Sequence, residues 1–445
     1  MSQIKGSPSA AFLGGATGTN IRSRMLAVIV LAVTINYLDR AILGIAAPSI
    51  RHEFGINSAT MGFVFSAFSW SYLLFQIPAG VALDRFGTRL VYTIALTGWS
   101  AFTILQGFTM GVTSFFLARL GLGVFEAPCF PANSNVVGMW FPRSERGKAI
   151  GVYTAAEYVG LGFLTPILFW MLASHGWRSL FYTTGTIGLA IALVMWRTYR
   201  DPFKSTSVNE AELSYIEEGG GLVQKEVVGT TFRWGNIRAL FQHRQMWGLC
   251  IGQFSVYSTF VFFLTWFPTY LATQRHMAFI KIGIYASIPY IAGFFGILFA
   301  GWLSDWLLAR ASLNFARKLP VIAGLLLAST IISVNYVSNN QLVLVILSVA
   351  FFGQAMSSSG WACLSEVAPK GLLGLVGGIF SFFANLSGIV VPIVIGFIVQ
   401  ATGSFVGALA FIGIVAAIGA ISWIFVIGDI RRLDINVERA STQLG

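Results

Sequence analysis

The sequence predicts an all-α integral membrane protein, with twelve transmembrane helices arranged as two pseudo-symmetric six-helix bundles. Three observations predict it: a composition that only lipid would solvate, twelve apolar runs of spanning length, and a pattern that recurs between the halves of the chain. Of 445 residues, 56% are hydrophobic and 10% charged, with a mean hydropathy of +0.75. A soluble domain needs about 25% charged residues to cover itself, whereas a spanning helix needs about 20 apolar residues in succession.

Taken in order, a polar tail at 1–23 runs straight into the first full-length span, so no cleavable signal peptide is expected. Apolar runs bounded by charge, glycine and proline then place spans at 24–46, 58–82, 88–107, 111–135, 147–172 and 178–198, the first bundle. A polar segment at 199–244 follows, with an acidic helical pattern from Asn209 to Glu218 that stops at Gly219-Gly220-Gly221. Six more spans, at 245–271, 281–303, 317–336, 341–363, 371–399 and 403–428, form the second bundle, and 429–445 is a second polar tail.

Charge supports the even number of spans. With both termini placed on the cytoplasmic side, 22 of the 28 lysines and arginines fall on that side. Arg51, Arg178, Arg275 and Lys281 fall on the other, and Arg40 and Arg119 lie inside spans. That asymmetry accounts for the net charge of +11 without invoking nucleic acid. The expected arrangement crosses the membrane many times with both termini inside. Cys129, Cys250 and Cys363 lie in apolar stretches at no ligand spacing and read as packing residues. Neither a metal cluster nor a paired nucleophile and base is visible, so an enzyme is not expected.

The spans hold five charges that lipid would not tolerate unpaired: Asp39, Arg40, Arg119, Glu126 and Glu157. Each costs roughly 2.5–3.5 kcal/mol near the bilayer centre, so together they demand a wet cavity, one another, or a ligand. Arg119 and Glu126 are seven residues apart and share a helix face about 10 Å apart along the axis, with Gly123 between them leaving room above the arginine. Such a face could hold a carboxylate at Arg119 while Glu126 exchanges a proton. Asp39 and Arg40 are adjacent and point about 100° apart, so they do not satisfy each other.

The halves echo each other in sequence. Gly80-Val81-Ala82-Leu83-Asp84-Arg85-Phe86-Gly87 ends the second span and Gly301-Trp302-Leu303-Ser304-Asp305-Trp306 ends the eighth. The Gly80–Asp84–Arg85–Gly87–Arg89 loop resembles the signature of the major facilitator superfamily. In it Gly80 would permit close helix approach, Asp84 would accept hydrogen bonds at neighbouring helix ends, and Arg85 and Arg89 would pair with acids. Further stretches resemble the anion:cation symporter group of that superfamily, in particular bacterial galactonate and glucarate transporters. They include Asn36-Tyr37-Leu38-Asp39-Arg40, Phe125-Glu126-Ala127-Pro128, Glu212-Leu213-Ser214-Tyr215-Ile216 and Leu264-Thr265-Trp266-Phe267-Pro268.

The resemblance implies a secondary transporter whose halves rock about a central site, moving a small organic anion with protons and no other cofactor. It implies proton coupling at Asp39 and Glu126, and a sugar-acid site including Arg40, Tyr72, Arg119, Gln253, Ser358 and Trp361. Two positions depart from the galactonate-type pattern. Glu157 stands where glutamine is usual and Ser381 where asparagine is usual, which makes Glu157 a candidate for proton carriage as well as substrate contact. The substrate class expected is an aldonate, aldarate or hexuronate. Two other readings stay open: an exporter of lipophilic compounds, suggested by the 39 phenylalanines, and a membrane sensor that binds an anion without moving it.

Overall fold

The computed structural model describes residues 19–221, 234–369 and 372–433. Among them, twelve helices are long and apolar enough to cross a membrane. They are α1 Ile21–Phe54, α2 Ser58–Phe86, α3 Thr88–Gly107, α4 Val112–Trp140, α5 Arg143–His175 and α6 Trp177–Thr198 in the first bundle. In the second they are α7 Arg244–Thr265, α8 Phe279–Leu308, α9 Leu313–Tyr336, α10 Asn340–Val367, α11 Leu373–Thr402 and α12 Val406–Val426. Of the basic residues assigned above to the cytoplasmic side, Lys5, Lys225, Arg233, Lys370 and Arg439 lie outside the described residues.

Several helices outrun the apolar runs that predict them, because helical hydrogen bonding continues where lipid ends and polar side chains are solvated. Others are shorter or broken: α12, Val406–Val426, stops short of the expected 403–428 at both ends. The fourth consists of Val112–Glu126 and Cys129–Trp140, divided at Pro128, which has no N–H to give to the preceding turn. The seventh stops at Thr265, and a separate short helix, Phe267–Thr273, restarts with proline in its first turn.

The first helix begins at Ile21 rather than at 24, for a reason that lies far away in the sequence. The buried Glu212 carboxylate accepts from the backbone N–H of Ile21 and of Arg22, each at 3.1 Å, and from the Thr19 hydroxyl at 2.6 Å. It thereby caps the N-terminus of α1 with negative charge. Glu212 sits on the short helix Glu210–Glu218, itself capped by Asn209, whose side chain accepts from Glu212 N. Arg22 pairs with Glu145 as well as Glu212, and Tyr215 donates to Glu145 at 2.8 Å. Arg146 reaches the Gly220 carbonyl at 2.7 Å. Burial and the neighbouring Glu145 push the Tyr215 phenol above its ordinary range, which keeps it a donor at physiological pH. The expected middle helix is therefore a strap fastened to the first bundle, across the ends of α1 and α5.

The bundles meet along α2 with α11, α5 with α8, and α1 with α7 and its following short helix. The close approaches run from the end away from the strap to about mid-membrane, where Tyr37 meets Phe260 and Tyr158 meets Phe351. A Cβ at Gly44 would lie 2.2 Å from the Leu264 carbonyl, and one at Gly62 would lie 2.5 Å from that of Pro392. Gly388 faces Ser69, Gly396 faces Ser58, and Gly283 faces Pro166 and Phe169. Phe65 packs edge-on to Trp266, with ring centroids 5.1 Å apart. Continued toward the opposite end, the same stripes carry Ile77 and Gly80 on α2 and Gly378 and Gly374 on α11. There Ile77 is 73% exposed, and a Cβ at any of these glycines would meet nothing within 4 Å. The bundles are sealed at the end away from the strap and splayed at the end that carries it.

Candidate functional site

The interior charges lie on the first bundle alone. In α7–α12 the described acidic and basic residues sit within about one and a half turns of a helix end, whereas Asp39, Arg40, Glu126 and Glu157 occupy the middle of α1, α4 and α5 and Arg119 lies about two turns into α4. All five are buried.

Arg40 and Glu126 form an ion pair, Nε to Oε2 at 2.9 Å. Aromatic rings roof it: the Arg40 guanidinium carbon is 4.7 Å from the Phe68 ring centre and 5.1 Å from those of Tyr37 and Tyr72. Arg119 approaches the same Phe68 ring at 5.4 Å, so one phenyl face collects both guanidiniums. Such contacts contribute about 0.5–2 kcal/mol each, and they hold the cations without consuming their N–H donors. Arg40 Nη2, Arg119 Nε and Nη1, Glu126 Oε1 and both amide atoms of Asn36 have no hydrogen-bond partner. Buried polar atoms are nearly always paired, so this cluster is a concentration of unspent donors around one acid. Its chemistry suits a carboxylate, which the planar guanidinium fork matches.

Asp39 turns the other way. It faces Thr103 on α3 and Thr184 on α6, inside the first bundle and behind the ion pair. Both threonines give their hydroxyl protons to their own helices, Thr103 to the Trp99 carbonyl and Thr184 to that of Leu180. Both Asp39 oxygens are left without a donor. It is thus separate from the arginine wall in contact, while staying within electrostatic reach of Glu126 and Arg119.

Glu157 on α5 lies within hydrogen-bonding reach of the Tyr37 hydroxyl and within electrostatic reach of Arg40 and Tyr257. Its neighbour Tyr158 reaches across to Ser358 and Gln354 on α10. On the second bundle, Gln253 is buried on α7 and Ser358 opens the short 3₁₀ helix Ser358–Cys363. Trp361 is 46% exposed and stands edge-on to Phe380, 4.8 Å away. Ser381 lies on the α11 stripe one turn from the splayed glycines. Tyr72 is buried against Arg40 rather than at a membrane interface.

Three expectations are corrected. Gly123 does not leave room above Arg119: a Cβ there would strike Ser71 Oγ and the Phe68 carbonyl at 2.2 and 2.3 Å, so the glycine lets α2 press against α4. Gly80 mediates no close approach, because it lies where the bundles splay. Among the described residues no acid forms an ion pair with Arg89. It donates to the Trp196 carbonyl at 2.7 Å and lies 4.2 Å from that indole's centre, which ties α3 to the end of α6. Arg85 lies over the adjacent Phe86 ring. Gly87 has φ +82°, which turns the chain between α2 and α3. Asp84 and Asp305 are exposed at the strap-bearing end of α2 and α8.

Tyr158, Tyr257 and Gln354 join the site without having been singled out in the sequence, and Phe68 and Asn36 join it with no role assigned to them there. Asn36 and Tyr37 had a signal, four and three residues before Arg40 on one helix. The others read as ordinary apolar-helix residues until the helices are packed.

Comparison with known proteins agrees with this architecture. The inward-open xylose transporter XylE from Escherichia coli has TM-score 0.72 at 15% identity, over 92% of this chain and 97% of that one. A bacterial homologue of the human lysosomal transporter Spinster, inward-facing and occupied, has TM-score 0.70 at 18% identity, over 91% and 97%. These show the fold. In sequence, the chain is 43% identical to a D-galactonate transporter of Escherichia coli O6:H1 over 92% of this chain and 96% of the relative. It is 42% identical to a probable galactarate/D-glucarate transporter of Bacillus subtilis (strain 168), over 93% and 94%. The Major Facilitator Superfamily model matches residues 29–392. The chain belongs to the major facilitator superfamily, a family of transporters rather than enzymes.

Proposed function

We propose that this protein is a proton-coupled symporter that takes up a sugar acid across a bacterial inner membrane by alternating access. The observation that carries the reading is the unspent guanidinium of Arg119 beside the Arg40–Glu126 pair. An anion's carboxylate has two convergent cations to bind, and the acid that already neutralises one of them must be neutralised in turn. A proton on Glu126 does this: it frees Arg40 for the substrate, and departure of that proton restores the ion pair and expels the anion. Asp39 is a second carrier, since a proton there supplies the donor that neither threonine offers. Relatives named for galactonate and galactarate/D-glucarate support the substrate class.

In this reading residues 24–198 and 245–428 move as two bodies. The splayed end is the cytoplasmic one and bears both termini, and the structure is the inward-facing state of a monomer. The Gly80–Arg89 loop and Asp305 gate that end when the bundles close. Gln253, Ser358, Trp361 and Ser381 give hydroxyl, amide and indole contacts to the substrate from the second bundle.

Uptake of galactonate and its relatives into proteoliposomes, with a pH-sensitive dye inside, tests the reading. The expected result is substrate-dependent acidification in the wild type, and for Glu126→Gln a loss of net flux with exchange retained. Substrate binding with no flux would instead make the protein a sensor.

A further inference from the structure

The charges around the cavity are unequal to the two ends of a sugar acid. Arg119 keeps company with Glu126, Arg40 and Asp39, while Glu157 keeps company with Tyr37 and Arg40. Arg40 is the shared member, so Arg119 and Glu157 lie to either side of it. Arg40 Nε is already committed to Glu126. Among the described residues the interior of the second bundle offers no cation to face Glu157. Around it stand Tyr37 from α1, Tyr153 and Tyr158 from α5, and Tyr257 from α7, with Ser358 and Gln354 beyond Tyr158. Arg40 is the one cation within its reach.

Resting on the sugar-acid reading above, we propose that Glu157 is a specificity-determining residue that reads the end of the substrate remote from its carboxylate, and that it selects polyhydroxy monocarboxylates over the corresponding dicarboxylates. A monocarboxylate placed with its carboxylate at Arg119 brings a hydroxylated tail to Glu157. A carboxylate accepts hydrogen bonds from hydroxyls, and the tyrosine and serine hydroxyls complete the polar shell. A dicarboxylate in the same place brings a second anion to an acid wall. With Glu157 ionised, two like charges oppose each other in a low-dielectric cavity, which weakens binding of the dicarboxylate. Where the dianion binds only once Glu157 has taken up a proton, it requires one more proton than a monoanion that binds to the ionised form. Either way the dicarboxylate is disadvantaged. The selection is of the repulsive kind, acting against the wrong ligand as much as for the right one.

The test compares galactonate with galactarate and gluconate with glucarate, as initial rates into proteoliposomes, for the wild type and Glu157→Gln. The wild type is expected to favour each monocarboxylate at least roughly tenfold in kcat/KM, a preference of about 1.4 kcal/mol. The isosteric Glu157→Gln is expected to shrink that ratio about tenfold, chiefly through a lower KM for the dicarboxylate. A wild type that handles the dicarboxylates as well or better overturns the proposal without any variant. So does a ratio that Glu157→Gln leaves unmoved. If none of the four acids is taken up, this proposal falls, and if hexuronates are not taken up either, the sugar-acid reading itself has failed, an outcome distinct from uptake of the dicarboxylates alone.

Discussion

α1 and α7 open the two bundles and hold corresponding places in them, yet their interiors differ in kind. α1 carries Asn36, Asp39 and Arg40, all buried, where α7 carries Gln253, Ser255 and Ser258. The contrast repeats one layer on: α4 contributes Arg119 and Glu126, and α10 contributes Gln354 and Ser357. One bundle is a charged wall and the other a neutral one. The arrangement has a physical logic. A buried ion pair broken by moving one partner leaves a charge stranded, at about 3–5 kcal/mol. The ion pairs Arg40–Glu126 and Arg178–Glu53 lie within the first bundle and Arg317–Glu366 within the second. The sealed interface between the bundles is made instead of glycines against carbonyls and of aromatic edges. Among the described residues, rocking the bundles apart therefore separates no ion pair, and the coupling chemistry travels intact on one body.

The largest expected effect breaks the comparison at its charged side. Arg119→Ala removes the unspent cation, and the apparent affinity for the transported acid should fall by about 2–5 kcal/mol, read as KM or by direct binding. An unchanged affinity would move the anion site elsewhere.

Next comes the seal. Gly44→Val puts a side chain into the Leu264 carbonyl, an overpacking worth about 1–3 kcal/mol, which should tip the population toward the opposite opening. With cysteine introduced at Ile77→Cys, exposed at the splayed end, thiol labelling should slow several-fold when Gly44→Val is added. The native cysteines are all buried, so background labelling is low. Equal labelling rates would mean that this contact does not set the conformational balance.

A smaller effect tests whether the strap belongs to the charged bundle as structure rather than as chemistry. Glu212→Ala uncaps α1 and should cost about 1–2 kcal/mol of stability, seen as a lower Tm in detergent, with KM within about twofold of wild type. A large KM change would give the strap a part in transport.

The smallest effect is on the neutral wall. Gln354→Ala removes one amide whose Oε1 has no partner, and should weaken substrate by about 0.5–1.5 kcal/mol, the worth of one hydrogen bond. A loss matching that of Arg119→Ala would erase the distinction between the walls.

Of the site, the sequence shows which residues are too polar for lipid but not what each one answers. Asp39 and Arg40 must point apart because they are neighbours on a helix. That Asp39 turns to Thr103 and Thr184, and Arg40 to Glu126, depends on which helices stand on either side of α1. Gly123 shows the opposite error: its place between Arg119 and Glu126 suggests a space for ligand, and the space is filled by α2. Arg89 and Gly80 show that a recognisable motif marks a place in the fold without stating its contacts in a given conformation.

The sequence by itself determined the twelve spans, the two-bundle repeat, the strap helix with its stop at Gly219, and the five interior charges. These follow from local composition, helical period and the cost of polar groups in hydrocarbon, which any stretch of chain carries with it. Only the tertiary structure decided the Arg40–Glu126 pair, the Phe68 face shared by two arginines, the capping of α1 by Glu212, and the end at which the bundles are sealed. Periodicity fixes a side chain's direction relative to its own helix axis. The rotation of that helix against its neighbours, and so the partner each side chain meets, is set by packing between segments far apart in the chain.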